Sequence, residues 1–124
     1  MKQNLFCEIY VDAADERDTF IEKIAAMLKG QRLNYEVIAE WATIDVLANN
    51  EYGETFEEPK DAFLGYRYKL EFEFEPEKQT SHHEYIGHVG ELLSNLWDVG
   101  YKAVAACSFE DELPEKGGYG RLQK

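Results

Sequence analysis

Positive charge is scarce in this chain: 13 lysines and arginines stand against 25 aspartates and glutamates in 124 residues, a net charge of −12. Such a balance repels phosphate backbones and anionic headgroups, so it points away from nucleic acid and membrane surfaces and toward a basic protein or a cation. Long apolar runs are missing as well, and none reaches the roughly 18 to 20 residues that a spanning helix needs. The start MKQNLFCEIY lacks the apolar core and cleavage site of a secretory signal, and a cytoplasmic location is expected. Cysteine is limited to Cys7 and Cys107. They have neither CxxC nor zinc-ligand spacing and sit in apolar, strand-like segments, which suits buried thiols in a reducing compartment, with a disulfide between them as the lesser alternative.

Catalytic signatures are absent too. The stretch SHHEYIGH contains no HExxH. Glu84 and His88 share a helix face at a spacing of four, but two ligands do not complete a zinc site, and His82 and His83 fall in an exposed first turn. Cys107 and Ser108 have no Gly-x-Ser-x-Gly elbow and no base nearby in sequence. The glycines of EKGGYGR lack the Lys-Ser/Thr and following helix of a phosphate cradle, and read as flexible tail. Glu71, Glu73 and Glu75 share one strand face without an evident sugar cleft, and no EF-hand loop is present. Neither a catalytic residue, a metal site nor a cofactor is assigned.

What the sequence does contain is one domain's worth of amphipathic elements, with 44% hydrophobic residues. Leu5, Cys7, Ile9 and Val11 alternate with Phe6, Glu8 and Tyr10, as in a half-buried strand. Asp15 stands where an N-cap is wanted, Phe20, Ile21, Ile24, Met27 and Leu28 recur at helical spacing, and Gly30 supplies a stop. Residues 33–47, rich in β-branched and aromatic side chains, predict one long strand with a bulge at Val37 and Ile38. In the next strand Leu64, Tyr66, Tyr68, Leu70, Phe72 and Phe74 oppose Arg67, Lys69, Glu71, Glu73 and Glu75, and Pro76 closes it. Ser81 and Glu84 form a capping box ahead of the stripe Tyr85, Val89, Leu92, Leu93 and Leu96, which ends at Gly100. Residues 102–109 read as a last strand and the segment after about 110 as an irregular tail. The order is the βαββαβ of a ferredoxin-like α+β fold: a four-stranded antiparallel sheet, both helices on one face, and a long loop between strands 2 and 3.

That loop is the most informative segment. A hairpin turn would suffice there, yet about 16 residues intervene, and unstructured loops of that length are usually functional or disordered. Its core, NNEYGETFEEPKD, carries Glu51, Glu54, Glu57, Glu58 and Asp61 against a single lysine. Carboxylates attract a basic surface, while Tyr52 and Phe56 offer the aromatic anchors that interfaces favour. The expected partner-facing set is therefore Glu51, Tyr52, Glu54, Phe56, Glu57, Glu58 and Asp61, with Glu110, Asp111 and Glu112 as a second patch if the tail lies beside the loop. The bland alternative is a loop that extends the β-hairpin or packs over the sheet, with its acids solvated.

A small, strongly acidic domain with no assembled catalytic constellation resembles the immunity proteins that bacteria keep beside their secreted or contact-delivered toxins. The likeness is one of size, charge and expected architecture over the whole chain. The segment LWDVGYKAVAACSFEDELP is also similar to the C-terminal part of small, uncharacterised bacterial proteins. What the resemblance to immunity proteins implies is an inhibitor of a cognate toxin, nucleases being one such class, that binds a basic cleft or the surface beside it. Two other readings compete with it. One is a small-molecule or enzymatic domain using the open sheet face, alone or as a homodimer, with a convergent polar group such as Tyr10, Arg67 or His88 in a pocket. The other is a module whose sheets pair face to face, which the charged side of the third strand disfavours.

Overall fold

The computed structural model describes residues 5–121. Strand β1 (Cys7–Asp12) leads into helix α1 (Arg17–Leu28), followed by three strands, β2 (Gln31–Leu33), β3 (Glu36–Ile38) and β4 (Thr43–Ala48). After a long connection come β5 (Tyr68–Glu73), helix α2 (His82–Asp98) and β6 (Lys102–Cys107), with 3-10 turns at Pro59–Gly65, Pro76–Lys78, Glu110–Glu112 and Pro114–Arg121. All strand pairs are antiparallel, and they form a six-stranded sheet in the order β2-β3-β4-β5-β1-β6.

The four-stranded ferredoxin-like sheet expected from the sequence is thus corrected to a six-stranded one. The reason lies in residues 31–48, which fold as three short strands in place of one long one. Asn34 takes a left-handed φ of 58° and lets the chain reverse in two residues, Asn34 and Tyr35, so that Leu33 faces Glu36. A second reversal at 39–42 is closed by the Ala39 N–H donating to the Ala42 carbonyl at 2.9 Å. The adjacent apolar pair Val37 and Ile38 is no bulge: Val37 points to the core, Ile38 to the other face, and the strand ends there.

Strand periodicity sorts the side chains cleanly. Cys7, Ile9, Val11, Val37, Ile44, Val46, Tyr68, Leu70 and Phe72 lie on the face covered by both helices and are buried. Against them α1 places Phe20, Ile21 and Ile24, and α2 places Tyr85, Val89, Leu92, Leu93 and Leu96. Ring pairs lock this layer: Phe20 stacks on Tyr68 at 4.4 Å, and Trp41, from the 39–42 turn, stacks on Phe72 at 5.9 Å.

The helix termini follow local chemistry. The capping box of α2 is present, the Glu84 N–H donating to Ser81 Oγ at 3.0 Å and the Ser81 N–H to Glu84 Oε1 at 3.1 Å. Helix α1 instead starts after Glu16, and Asp15, expected as its cap, pairs with Lys23 at 2.6 Å while its carbonyl accepts from the Tyr68 hydroxyl at 2.7 Å. At the other end of α1, Lys29 takes the left-handed position, and Gly30 is needed for a different reason. A Cβ there would stand 2.8 Å from the Ile38 carbonyl oxygen and 2.8 Å from Val37 Cγ1. Among the described residues no helix is long and apolar enough to cross a membrane.

Candidate functional site

The sheet face away from the helices carries the acids. Register sets Glu36 opposite Asp45, Asp45 opposite Glu71, and Glu71 opposite Glu8, so one transverse row of carboxylates runs across β3, β4, β5 and β1. Directly opposed residues have Cα atoms about 4.5 to 5.5 Å apart, and like charges so placed repel. Lys69 is the cation that pairs with this row among the described residues, its Nζ lying 3.3 Å from Glu8 and 3.5 Å from Glu71. Partial burial pulls its ammonium pKa down, and the Glu8 carboxylate, helped by Tyr10 and Glu71, more than reverses that. Glu73 and Glu75 extend the acidic surface, and Glu75 Oε1 accepts from the Thr43 N–H at 3.0 Å. Together with the half-exposed ring of Phe6, the side chains of Glu36, Asp45, Glu71, Glu73 and Glu75 line a groove of about 270 Å³.

Beyond Tyr10 the same face is covered. Phe63, in the Pro59–Gly65 turn, is buried edge-on against Tyr10 at 5.3 Å and against Tyr119 of the tail at 5.5 Å. The 49–67 connection and the tail therefore meet over the sheet. Asp61 and Glu110 both bear on Tyr119: burial first, then the Glu110 carboxylate and its hydrogen bond, push that phenol up to about 12, and Asp61 adds to the effect.

The connection itself is folded. Asn49, a buried polar side chain, donates from Nδ2 to the carbonyls of Leu64 (2.8 Å) and Tyr66 (2.6 Å), and its Oδ1 accepts from the Glu51 N–H at 3.2 Å. The Gly53 N–H donates to the Gly65 carbonyl at 3.1 Å. Because Leu64 and Tyr66 belong to this turn region, β5 begins only at Tyr68, later than the alternation of apolar residues predicts.

Glu51, Tyr52, Glu54, Glu57 and Glu58 are exposed, and the Tyr52 ring lies 6.0 Å from the Arg67 guanidinium. Phe56 is half-buried against Gly65, and Asp61 is half-buried. Asp111 and Glu112 are exposed, whereas Glu110 uses Oε2 to accept the Cys107 N–H at 3.0 Å. The loop patch and the tail patch are joined through Phe63, Tyr119, Asp61 and Glu110.

The tail after 110 is built into the fold. The chain is left-handed over four consecutive residues, Glu115 (φ 48°), Lys116 (φ 55°), Gly117 (φ 76°) and Gly118 (φ 102°), and lies along the outer edge of β6. A Cβ on Gly118 would come within 2.6 Å of the Ala103 carbonyl oxygen, so only glycine fits. That carbonyl accepts from Trp97 Nε1 at 3.0 Å. Tail, Trp97 and Glu110 thus close an edge that would otherwise offer unpaired backbone groups to other chains.

Tyr10, Arg67 and His88, each a candidate polar group for a small-molecule pocket, stand apart from one another. Tyr10 is on the acidic face, Arg67 donates to the Ala14 carbonyl at 2.9 Å, and His88 stacks on Trp41 at 4.9 Å on the helix side. His88 there borders a second groove, of about 260 Å³, between Met27, Trp41, Glu91, Leu92 and Asn95. Among the described residues no three His, Cys, Asp or Glu side chains are grouped closely enough to hold a metal ion. Sequence reasoning placed Glu8 and Glu71 on the outer sides of their strands but missed Asp45 and Glu36 and the register that aligns all four in one row. Comparison with protein-family models, with curated proteins and with solved structures finds no match to this chain.

Proposed function

We propose that this chain is an acidic protein-binding module whose partner is a basic protein, and that it acts as an immunity-type inhibitor of a cognate bacterial toxin. The observation that carries the reading is the transverse row Glu36, Asp45, Glu71 and Glu8 on the uncovered part of the sheet, with one paired lysine. A row of opposed like charges works against folding, and a basic partner relieves it on binding. The exposed acids of the loop and tail extend the same field, which raises association toward about 10⁸ M⁻¹s⁻¹ at low salt. Tyr52 supplies an exposed aromatic contact beside them.

The test is capture from the source organism's lysate with the wild-type chain and with an Asp45→Asn/Glu71→Gln variant, at low and at high salt. A basic protein held stoichiometrically by the wild type, weakened by salt and by the double substitution, and inhibited in its own activity by added chain, is the expected result. Equal retention by both chains, or a captured protein whose activity the chain leaves unchanged, refutes the proposal.

A further inference from the structure

Cys7 and Cys107 stand directly opposite each other on neighbouring antiparallel strands. The Cys107 N–H points outward to the Glu110 carboxylate, so it does not bond to β1, and the two cysteines form a non-hydrogen-bonded pair. In such pairs the Cα atoms are about 4.5 Å apart and the side chains are closest, inside the range a disulfide requires. Both residues are free thiols in this structure; Cys7 is fully buried and Cys107 is partly open. Flanking residues hold the register, since Ile9 faces Ala105 and Val11 faces Ala103.

We propose that Cys7 and Cys107 are a reversible oxidation site, in which Cys107 reacts with a hydroperoxide and Cys7 resolves the product to an intrachain disulfide. In the first step the Cys107 thiolate attacks one peroxide oxygen, the O–O bond breaks, the alcohol or water leaves with a proton, and Cys107 becomes a sulfenic acid. In the second the Cys7 sulfur displaces the sulfenic hydroxyl, which departs as water with the Cys7 proton, and the S–S bond forms. Two thiols are oxidised and one hydroperoxide is reduced.

The division of roles follows from the surroundings. A hydrogen bond with the Cys7 thiol is the largest influence on Cys107 and lowers its pKa, and the Phe109 amide assists, while burial and Glu110 oppose. That favours the nucleophilic thiolate on the more accessible sulfur. Cys7 is pushed the other way by the same hydrogen bond and by its burial, and that full burial keeps a peroxide from reaching it first. The proposal is independent of the partner-binding reading, because it uses neither the acidic row nor the loop.

The experiment is mild hydrogen peroxide treatment of the purified chain, read by intact mass, thiol alkylation and gel filtration. Expected are a loss of about 2 Da, protection of both thiols from alkylation, a monomer, and full reversal by dithiothreitol. The oxidised chain should also melt at least about 5 °C higher, because the bridge ties ends of the chain that are far apart in sequence. Cys7→Ser should instead accumulate a dimedone-reactive sulfenic acid at Cys107. If that variant does not fold, Cys107→Ser decides the order, since its Cys7 must stay unreactive toward peroxide under native conditions. Peroxide-treated wild type that keeps two alkylatable thiols, gains oxygen without the mass loss, or cross-links between chains overturns the proposal, as does a reactive Cys7 in Cys107→Ser.

Discussion

Asn49 uses its carboxamide on the backbone at both ends, two donated bonds to Leu64 and Tyr66 and one accepted from Glu51. Its own N–H donates to the Arg67 carbonyl at 2.9 Å, which joins the end of β4 to the start of β5. A buried amide satisfied in this way is worth more than an exposed one, since removing it leaves two carbonyls of partly buried residues without their donor. Asn49→Ala is expected to destabilise the chain by about 1 to 3 kcal/mol in denaturant melts. Cleavage by a nonspecific protease at residues 50–58 should quicken, while cleavage within α2 should quicken no more than global stability accounts for. Sequence showed that this stretch was long and acidic, but the role of its first residue was not legible. An asparagine before a turn has the same signature whether it caps its own backbone or braces a segment 15 residues away.

Elements with a strong local signal were legible in the sequence, and those that depend on neighbours were not. The capping box and apolar stripe define α2, and the strict alternation of Tyr68 through Glu73 defines β5. The β2, β3 and β4 meander was misread because neither of its reversals carries Gly or Pro; Asn34 and the Ala39 to Ala42 bond perform them instead. The tail was read as flexible because Gly117 and Gly118 resemble a linker, although close approach to β6 is what requires them. Tyr119 gives a test of how firmly that tail is seated. Its folded pKa is raised to about 12 from an ordinary 10.0, so the stability it contributes is full below pH 10 and is lost as pH rises toward 12. The difference in tyrosinate absorbance between wild type and Tyr119→Phe should therefore show one phenol titrating near 12. A phenol in the difference curve titrating near 10 means that the tail is undocked in solution.

At the scale of the whole molecule, a net charge of −12 is distributed unevenly: the helix side carries compensated groups such as Arg32 with Asp18 and Glu22, and the open sheet face carries an unbalanced row. Asp45 is the centre of that row, with Glu36 on one side and Glu71 on the other and no ion pair of its own among the described residues. If the row exists for a basic partner, stability and binding must pull in opposite directions at this residue. Asp45→Asn keeps the shape and removes one charge, so it is expected to stabilise the free chain by about 0.2 to 1 kcal/mol in denaturant melts. Added salt should raise the melting point of the wild type more than that of the variant, because screening already does part of what the substitution does. The same substitution should weaken capture of the basic partner and slow its association. A variant that is less stable than wild type would mean that Asp45 has an attractive contact which outweighs the repulsion. A variant that is more stable and binds equally well would put Asp45 outside the partner surface and count against the proposed function, which the row carries.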